Sequence, residues 1–213
     1  MKTRIALVAA LLLNFYSSGA QTLPINEPLK TYEIEVGARK LGKLTLIERN
    51  KSEYSGYVSY VFFEGKPTSA KSFVGRLFNN SNAKKVSDSV LIKNKLPDSL
   101  AGVLMLGLQN TGIEDLIPCN EDNDCAKINF LDPNFTVFNL KIDGKAKQFE
   151  YASIGYPSAQ FPEKTQLRRR VQDLVNICVT KIDYSKEFKT AREKLKKGSY
   201  FIATDQGYLT FKR

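Results

Sequence analysis

The sequence predicts a single α+β domain: a mainly antiparallel sheet, built from a meander and hairpins, packed by one buried helix and two C-terminal helices. Three observations lead there. Residues 31–93 alternate or run apolar in short stretches of strand length, Asp143-Gly144 separates two further alternating stretches, and apolar residues recur at helical spacing from Leu167 onward.

In the first region Tyr32, Ile34 and Val36 alternate with Glu33 and Glu35, Leu44 and Leu46 alternate with Lys43 and Thr45, and residues 57–63 are rich in β-branched and aromatic side chains. A period of two places each apolar set on one face of a strand. Five strands are expected here, separated by turn chemistry at residues 37–40, 50–55, 64–67 and 79–85. Connections this short favour antiparallel neighbours.

Pro97-Asp98-Ser99 opens the apolar run 100–108, and Asn110-Thr111-Gly112 closes it. The run reads as a buried helix, with a buried strand as the alternative for so short an apolar segment. Gly102 and Gly107 cost about 1 kcal/mol each in helix propensity relative to alanine, which close packing on the sheet would offset. Residues 136–142 and 145–151 flank Asp143-Gly144, a dipeptide suited to a two-residue hairpin because both positions tolerate positive φ.

Pro162 and Glu163 are expected to open a helix in which Leu167, Val171, Leu174, Val175, Cys178 and Ile182 form one face. A shorter helix over residues 186–197 presents Phe188, Ala191 and Leu195 and closes at Gly198. Residues 200–203 and 208–211 form a final hairpin across Asp205-Gln206-Gly207.

Composition excludes more than it identifies. The 213 residues include 32 Lys+Arg, 22 Asp+Glu, three Cys, and neither His nor Trp. Without histidine there is no Ser-His-Asp or Cys-His nucleophile pair, no HExxH zinc site and no imidazole switch. Apolar residues at 42% and charged residues at 25% suit a folded globular domain rather than a disordered chain.

Residues 1–20 carry Lys2 and Arg4, an apolar run over 5–13 and then Ser18-Gly19-Ala20, the three-part layout of a secretory signal peptide. Cleavage is expected after Ala20, leaving one domain over residues 21–213 in a secreted or periplasmic protein. Both apolar runs, 5–13 and 100–108, are shorter than the roughly 20 residues that span a membrane, so no transmembrane segment is expected in the mature chain.

The positive charge is regional: residues 163–213 hold 13 Lys/Arg against 6 Asp/Glu, whereas residues 21–162 hold 17 against 16. Arg168, Arg169 and Arg170 fall opposite the apolar stripe of the first C-terminal helix. With Lys186, Lys189, Arg192, Lys196 and Lys197, and with Lys181 and Lys194 beside them, they are expected to form a surface for an anionic ligand such as a phosphate-bearing polymer or a lipid headgroup. The plain alternative is a solvated face with pairs such as Glu193 and Lys197. Nucleic acid has little support as a partner, since no recognition motif is present.

Cys119 and Cys125 bracket a five-residue polar loop and, in an exported protein, are expected to form a disulfide, leaving Cys178 as a buried free thiol. Glu121, Asp122 and Asp124 between the cysteines would raise their thiol pKa values, against a redox-catalytic role. Asn120, Asp122 and Asp124 match the first three oxygen-ligand positions of a calcium loop, but Cys125 and Leu131 stand where the EF-hand needs Gly and Glu. No cofactor is expected.

The functional expectation is a non-enzymatic binding protein of the cell envelope or extracellular space, engaging an anionic component or a protein partner. A carboxylate-dependent hydrolase is the rival, with Glu48, Glu53, Glu64, Glu114, Asp115, Asp132 and Glu150 as candidates by residue type. A structural envelope component without a ligand is the third. Tyr54, Tyr57, Tyr60, Phe62 and Phe63 can stack on bases or sugars, but at strand spacing such residues more often pack within a sheet.

Overall fold

The computed structural model describes residues 27–36, 42–65, 89–128, 134–154, 163–204 and 207–213. Their strands are β1 (Lys30–Glu35), β2 (Lys43–Asn50), β3 (Glu53–Glu64), β4 (Ser89–Lys95), β5 (Phe135–Ile142), β6 (Lys145–Ala152), β7 (Ser199–Thr204) and β8 (Gly207–Lys212). Three helices accompany them: α1 (Asp98–Asn110), α2 (Gln166–Lys181) and α3 (Tyr184–Glu193). The chain is thus an α+β fold with a mainly antiparallel sheet, as its patterning predicts.

The strands form one curled sheet in the order β6-β5-β1-β2-β3-β7-β8, with β4 also paired to β3. Length lets β3 serve three partners: β2 pairs with its first half, β4 pairs from Tyr57 to Phe63, and β7 joins at Phe63 and Glu64. Register carries the apolar residues to one face. Ile34 lies opposite both Leu44 and Phe138, and Tyr32 opposite both Leu46 and Leu140. All six are buried, together with Val58, Tyr60, Phe62, Phe149 and Tyr151. Burying apolar area of this kind, at about 25 cal/mol per Å², is the main favourable contribution to folding.

The helices cover that inner face: α1 lies on β2 and β3, α2 packs on α1, and α3 packs on β3 and β4. Tyr60, Phe62, Phe188 and Phe211 join in edge-on and tilted contacts that fix α3 to the sheet. The strand aromatics therefore serve packing. Tyr60 and Phe62 are buried, Phe63 stacks on Phe201, Tyr54 packs against α1 at Gly102, and Tyr57 lies under the Lys93 ammonium.

Four of the five expected strands of the first region are described. Anything between Gly65 and Ser89 lies outside the described residues, as do the expected signal segment, the turn at 37–40, the turn at 79–85, Pro162 and the dipeptide Asp205-Gln206. The 100–108 run is a helix rather than a strand. Its two glycines serve different neighbours, because a Cβ on Gly102 would meet the Tyr54 ring at 3.0 Å and one on Gly107 would meet Ile177 of α2 at 3.4 Å. At the β5–β6 hairpin Asp143 and Gly144 both take positive φ, 47° and 77°.

Both C-terminal helices begin elsewhere than periodicity suggests. The Thr165 hydroxyl accepts the Arg168 N–H at 3.2 Å and caps α2, leaving Glu163 ahead of the helix. Asp183 does the same for α3 at the Lys186 N–H, 3.0 Å away, so α3 starts at Tyr184 and ends at Glu193. Gly198 does not cap it. Gly198 instead exchanges two backbone hydrogen bonds with Arg213, extending the β7–β8 pairing.

Candidate functional site

Amphipathicity divides the basic C-terminal region. On α3 the stripe Tyr184, Phe188 and Ala191 is buried against the sheet, and Leu195 continues it past the helix end. Lys186 and Lys189 lie on the opposite face, since positions two and five residues after Tyr184 point away from a stripe of period 3.6. Both are exposed, as are Lys181, Lys194, Lys196 and Lys197.

The other expected members do not join them. Arg168 corrects the sequence reading: it is 2% exposed, and its guanidinium points into the domain rather than into solvent. Its Nε and Nη2 donate to the two carboxylate oxygens of Glu163 at 2.7 and 2.9 Å, and Nη1 donates to the Ala152 carbonyl at 2.8 Å. Of its neighbours, Arg170 is half-buried beside Gly112 and Arg169 alone is exposed. Arg169 stands in the first turn of α2, about 18 Å along the helix from Lys181 at 1.5 Å per residue. Arg192 is half-buried with its guanidinium carbon 4.3 Å above the Phe211 ring. The Lys194 ammonium donates to the Asn94 side chain at 2.7 Å and to the Lys93 carbonyl at 3.2 Å. What remains of the expected surface is Lys186, Lys189, Lys196 and Lys197 with Lys181, and Arg169 apart from them. None of these five lysines forms an ion pair with a described residue.

Cys119 and Cys125 are bonded, with their Cα atoms 5.3 Å apart, and Cys178 is free and buried. Burial in apolar surroundings pushes the Cys178 thiol up to about 12, which leaves it protonated and unreactive at neutral pH. Inside the loop one Asp122 oxygen accepts the backbone N–H groups of Asp124 and Cys125, at 3.1 and 2.7 Å. Asp122 thus turns inward to hold the chain. Among the described residues no three His, Cys, Asp or Glu side chains converge as cation ligands would. An open depression of about 430 Å³ lies beside the disulfide, lined by Pro118, Cys119, Asn120, Gln148, Phe149 and Glu150.

Of the acidic candidates, Asp132 lies outside the described residues, and Glu53, Glu64, Asp115 and Glu150 are exposed. Glu48 and Glu114 do come together through a polar chain that residue types alone did not reveal. Lys30 donates to Glu114 at 2.7 Å, the Tyr32 hydroxyl donates to the same carboxylate, and the Gln109 amide reaches both the Tyr32 oxygen at 3.5 Å and Glu48 at 3.2 Å. The partners reinforce one another. Burial alone would raise the Glu114 pKa, but the hydrogen bonds from Lys30 and Tyr32 and the charges of Lys30 and Lys147 hold it below its ordinary value. Burial and the Glu114 hydrogen bond together push the Tyr32 phenol up. Neither carboxylate lines the depression, and each accepts hydrogen bonds from within the fold, so this chain ties β1 and β2 to the end of α1. The alternating strand pattern marks Tyr32 as inward, but nothing local marks its partner on the short 3-10 turn Ile113–Asp115, more than eighty residues away.

Comparison of the chain with protein-family models, with curated protein sequences and with solved structures gives no match.

Proposed function

We propose that this is an exported, non-enzymatic protein that binds anionic surfaces through the lysines of α3 and the segment that follows it. One observation carries the reading. Lys186 and Lys189 stand opposite a stripe already buried against the sheet, and together with Lys181, Lys196 and Lys197 they are exposed without an ion pair to any described residue. Unneutralised lysines on a rigid support attract polyanions and anionic headgroups by roughly 1 kcal/mol each near a membrane surface. The disulfide fits an oxidising compartment, and no described helix is long and apolar enough to cross a membrane, which suits a surface contact.

Vesicle co-sedimentation tests it. The protein should bind phosphatidylglycerol vesicles and not phosphatidylcholine vesicles, with an affinity that falls steeply as salt rises towards physiological strength, where the screening length is about 8 Å. The triple variant Lys186→Glu, Lys189→Glu, Lys196→Glu should bind at least about a hundredfold more weakly while unfolding at the same temperature, since three contacts of about 1 kcal/mol are removed and reversed. Arg169→Glu should have a much smaller effect. Absence of binding at low salt, or equal binding by the triple variant, overturns the proposal.

A further inference from the structure

The depression beside the disulfide points to a second binding site, unrelated to the lysines of α3. Successive strand residues face opposite sides of a sheet. A depression lined by side chains of one face alone would touch Gln148 and Glu150, or Phe149; one that also reaches the backbone groups at the strand's edge touches consecutive residues. This one is lined by Gln148, Phe149 and Glu150 in succession, so it opens along the edge of the strand, with Pro118, Cys119 and Asn120 as its far wall. β6 is a terminal strand, paired only with β5.

Its register shows which backbone groups face the groove. The two-residue Asp143-Gly144 loop makes Ile142 and Lys145 a hydrogen-bonded pair, so Lys147, Phe149 and Tyr151 direct their N–H and C=O groups to β5. Ala146, Gln148 and Glu150 direct theirs outward, where no described residue takes them. Proteins usually blunt such an edge with a bulge, a proline, lysines or a covering segment. β6 pairs in unbroken register from Lys145 to Ala152 and contains no proline; its two lysines stand at its start, Lys145 beside the hairpin turn and Lys147 turned towards the Glu114 carbonyl at 3.4 Å, with none from Gln148 to Ala152. β4, also paired on one side only, differs: Glu187 of α3 accepts from the Asn94 side chain, and Lys194, just past the end of α3, donates to the Lys93 carbonyl.

The wall opposite is fixed in advance. The Tyr151 hydroxyl donates to the Ile117 carbonyl at 2.6 Å, and the Cys119–Cys125 bond closes the turn that follows. A site that needs no ordering on binding loses less affinity to entropy. Glu150 is the one charged residue lining the groove, and Glu121 follows the wall directly, so the lining itself carries negative charge, while the nearest lysine of the strand, Lys147, reaches to the Glu114 carbonyl.

We propose that this groove takes an extended peptide segment carrying a lysine or arginine, which adds to β6 as a further strand. Backbone pairing with Gln148 and Glu150 supplies affinity, and Glu150 selects the basic side chain. A single strand suits a groove walled by a turn, whereas a second copy of this domain would set its own turn against this one.

The test is amide NMR on the full disulfide-bonded chain, titrated with a synthetic capped peptide that alternates valine with threonine and lysine. Signals of Ala146, Gln148 and Glu150 should shift, and their amide exchange should slow at least about tenfold at saturation. Gln148→Pro removes an outward donor without touching the ladder to β5, and should abolish binding. Should that variant fail to fold, a peptide N-methylated at alternate amides provides the same comparison against the unaltered protein and should not bind. Glu150→Lys should weaken the lysine peptide about tenfold. The proposal is overturned if these amides do not respond, if the N-methylated peptide or folded Gln148→Pro binds as well, if a glutamate-for-lysine peptide binds equally, or if the chain alone dimerises with the same amides protected.

Discussion

Arg168 and Glu163 form a two-pronged ion pair beneath the start of α2, with the arginine side chain 2% and the glutamate 14% exposed. The remaining guanidinium N–H groups meet the carbonyls of Ala152 and Ser153 at the end of β6, at 2.8 and 3.3 Å. The pair thus joins the segment before α2, the helix itself and the sheet. Arginine suits this place because its planar fork offers five donors in fixed directions, whereas lysine offers a point charge.

Removing one partner strands the other in a poorly solvated site, which typically destabilises a protein by about 3–5 kcal/mol. Arg168→Ala should therefore lose about that much stability in urea denaturation, and Glu163→Gln should shift it in the same direction. Arg169→Ala, one residue along but exposed, should change stability by less than about 1 kcal/mol. Replacing both partners together, as in Arg168→Met with Glu163→Leu, should recover part of the loss because no unpaired charge remains. Equal effects at Arg168 and Arg169 would show that the pair does not hold the fold.

The Lys30–Glu114–Tyr32 contacts predict a pH window. The Glu114 pKa lies below its ordinary 4.5 in the folded chain, so its contribution is complete above that value and is lost as pH falls through the folded pKa. Lys30 is the mirror case. Burial opposes its charge, but the hydrogen bond and charge of Glu114, with Glu48 and Asp143, raise it above 10.5. Its contribution is complete below that value and is lost as pH rises through the folded pKa. Glu114→Gln should therefore melt below the unaltered protein by an amount equivalent to about 1 kcal/mol near neutral pH, a partly solvated pair being worth no more. That difference should close on acidification well below pH 4.5. A melting difference that stays constant into strong acid would remove the carboxylate charge from the account.

Local pattern carried the fold further than it carried the site. Alternation placed Tyr32, Ile34, Leu44 and Leu46 inward, and turn chemistry located the Asp143-Gly144 hairpin, because these features depend on a few neighbouring residues. The disulfide was equally legible, since two cysteines six residues apart in one loop have few other partners. Arg168 was not. A run of three arginines reads as one solvent-facing set opposite the stripe, yet at about 100° per residue Arg168 falls on the flank of the stripe beside Leu167. Its burial depends on Glu163 and on the carbonyls of Ala152 and Ser153, which tertiary structure alone brings under the helix. The Glu114 contact with Tyr32, across 82 positions of sequence, is hidden for the same reason. The shifted starts of α2 and α3 had a local signal in Thr165 and Asp183, both good capping residues, which the apolar stripes outweighed.

Gly56 provides a test of how closely α1 sits on the sheet. It lies within β3 opposite Leu46, and its carbonyl accepts the Leu96 N–H at 2.9 Å just before α1 begins. Glycine inside a strand weakens it unless another group needs the room, and here α1 needs it. A Cβ on Gly56 would stand 2.9 Å from Leu46 Cδ2, 3.0 Å from the Thr45 carbonyl and 3.4 Å from the Ala101 Cβ. The Leu46 methyl can rotate aside; the Thr45 carbonyl belongs to the β2 backbone and Ala101 to the helix, and neither can. Gly56→Ala should therefore destabilise the domain by about 1–3 kcal/mol as an overpacked site, although alanine is otherwise favoured over glycine in a strand by roughly 0.5–1 kcal/mol. Gly107→Ala is the companion measurement. Its Cβ would approach the Ile177 Cγ2 methyl at 3.4 Å, at the edge of ordinary van der Waals contact and with no backbone atom in the way, and the gain in helix propensity of about 1 kcal/mol works in its favour. Denaturation midpoints should fall for Gly56→Ala and hold or rise for Gly107→Ala. If Gly56→Ala is as stable as the unaltered protein, α1 has room to move off the sheet, and the close approach at Ala101 does not limit the packing of the core.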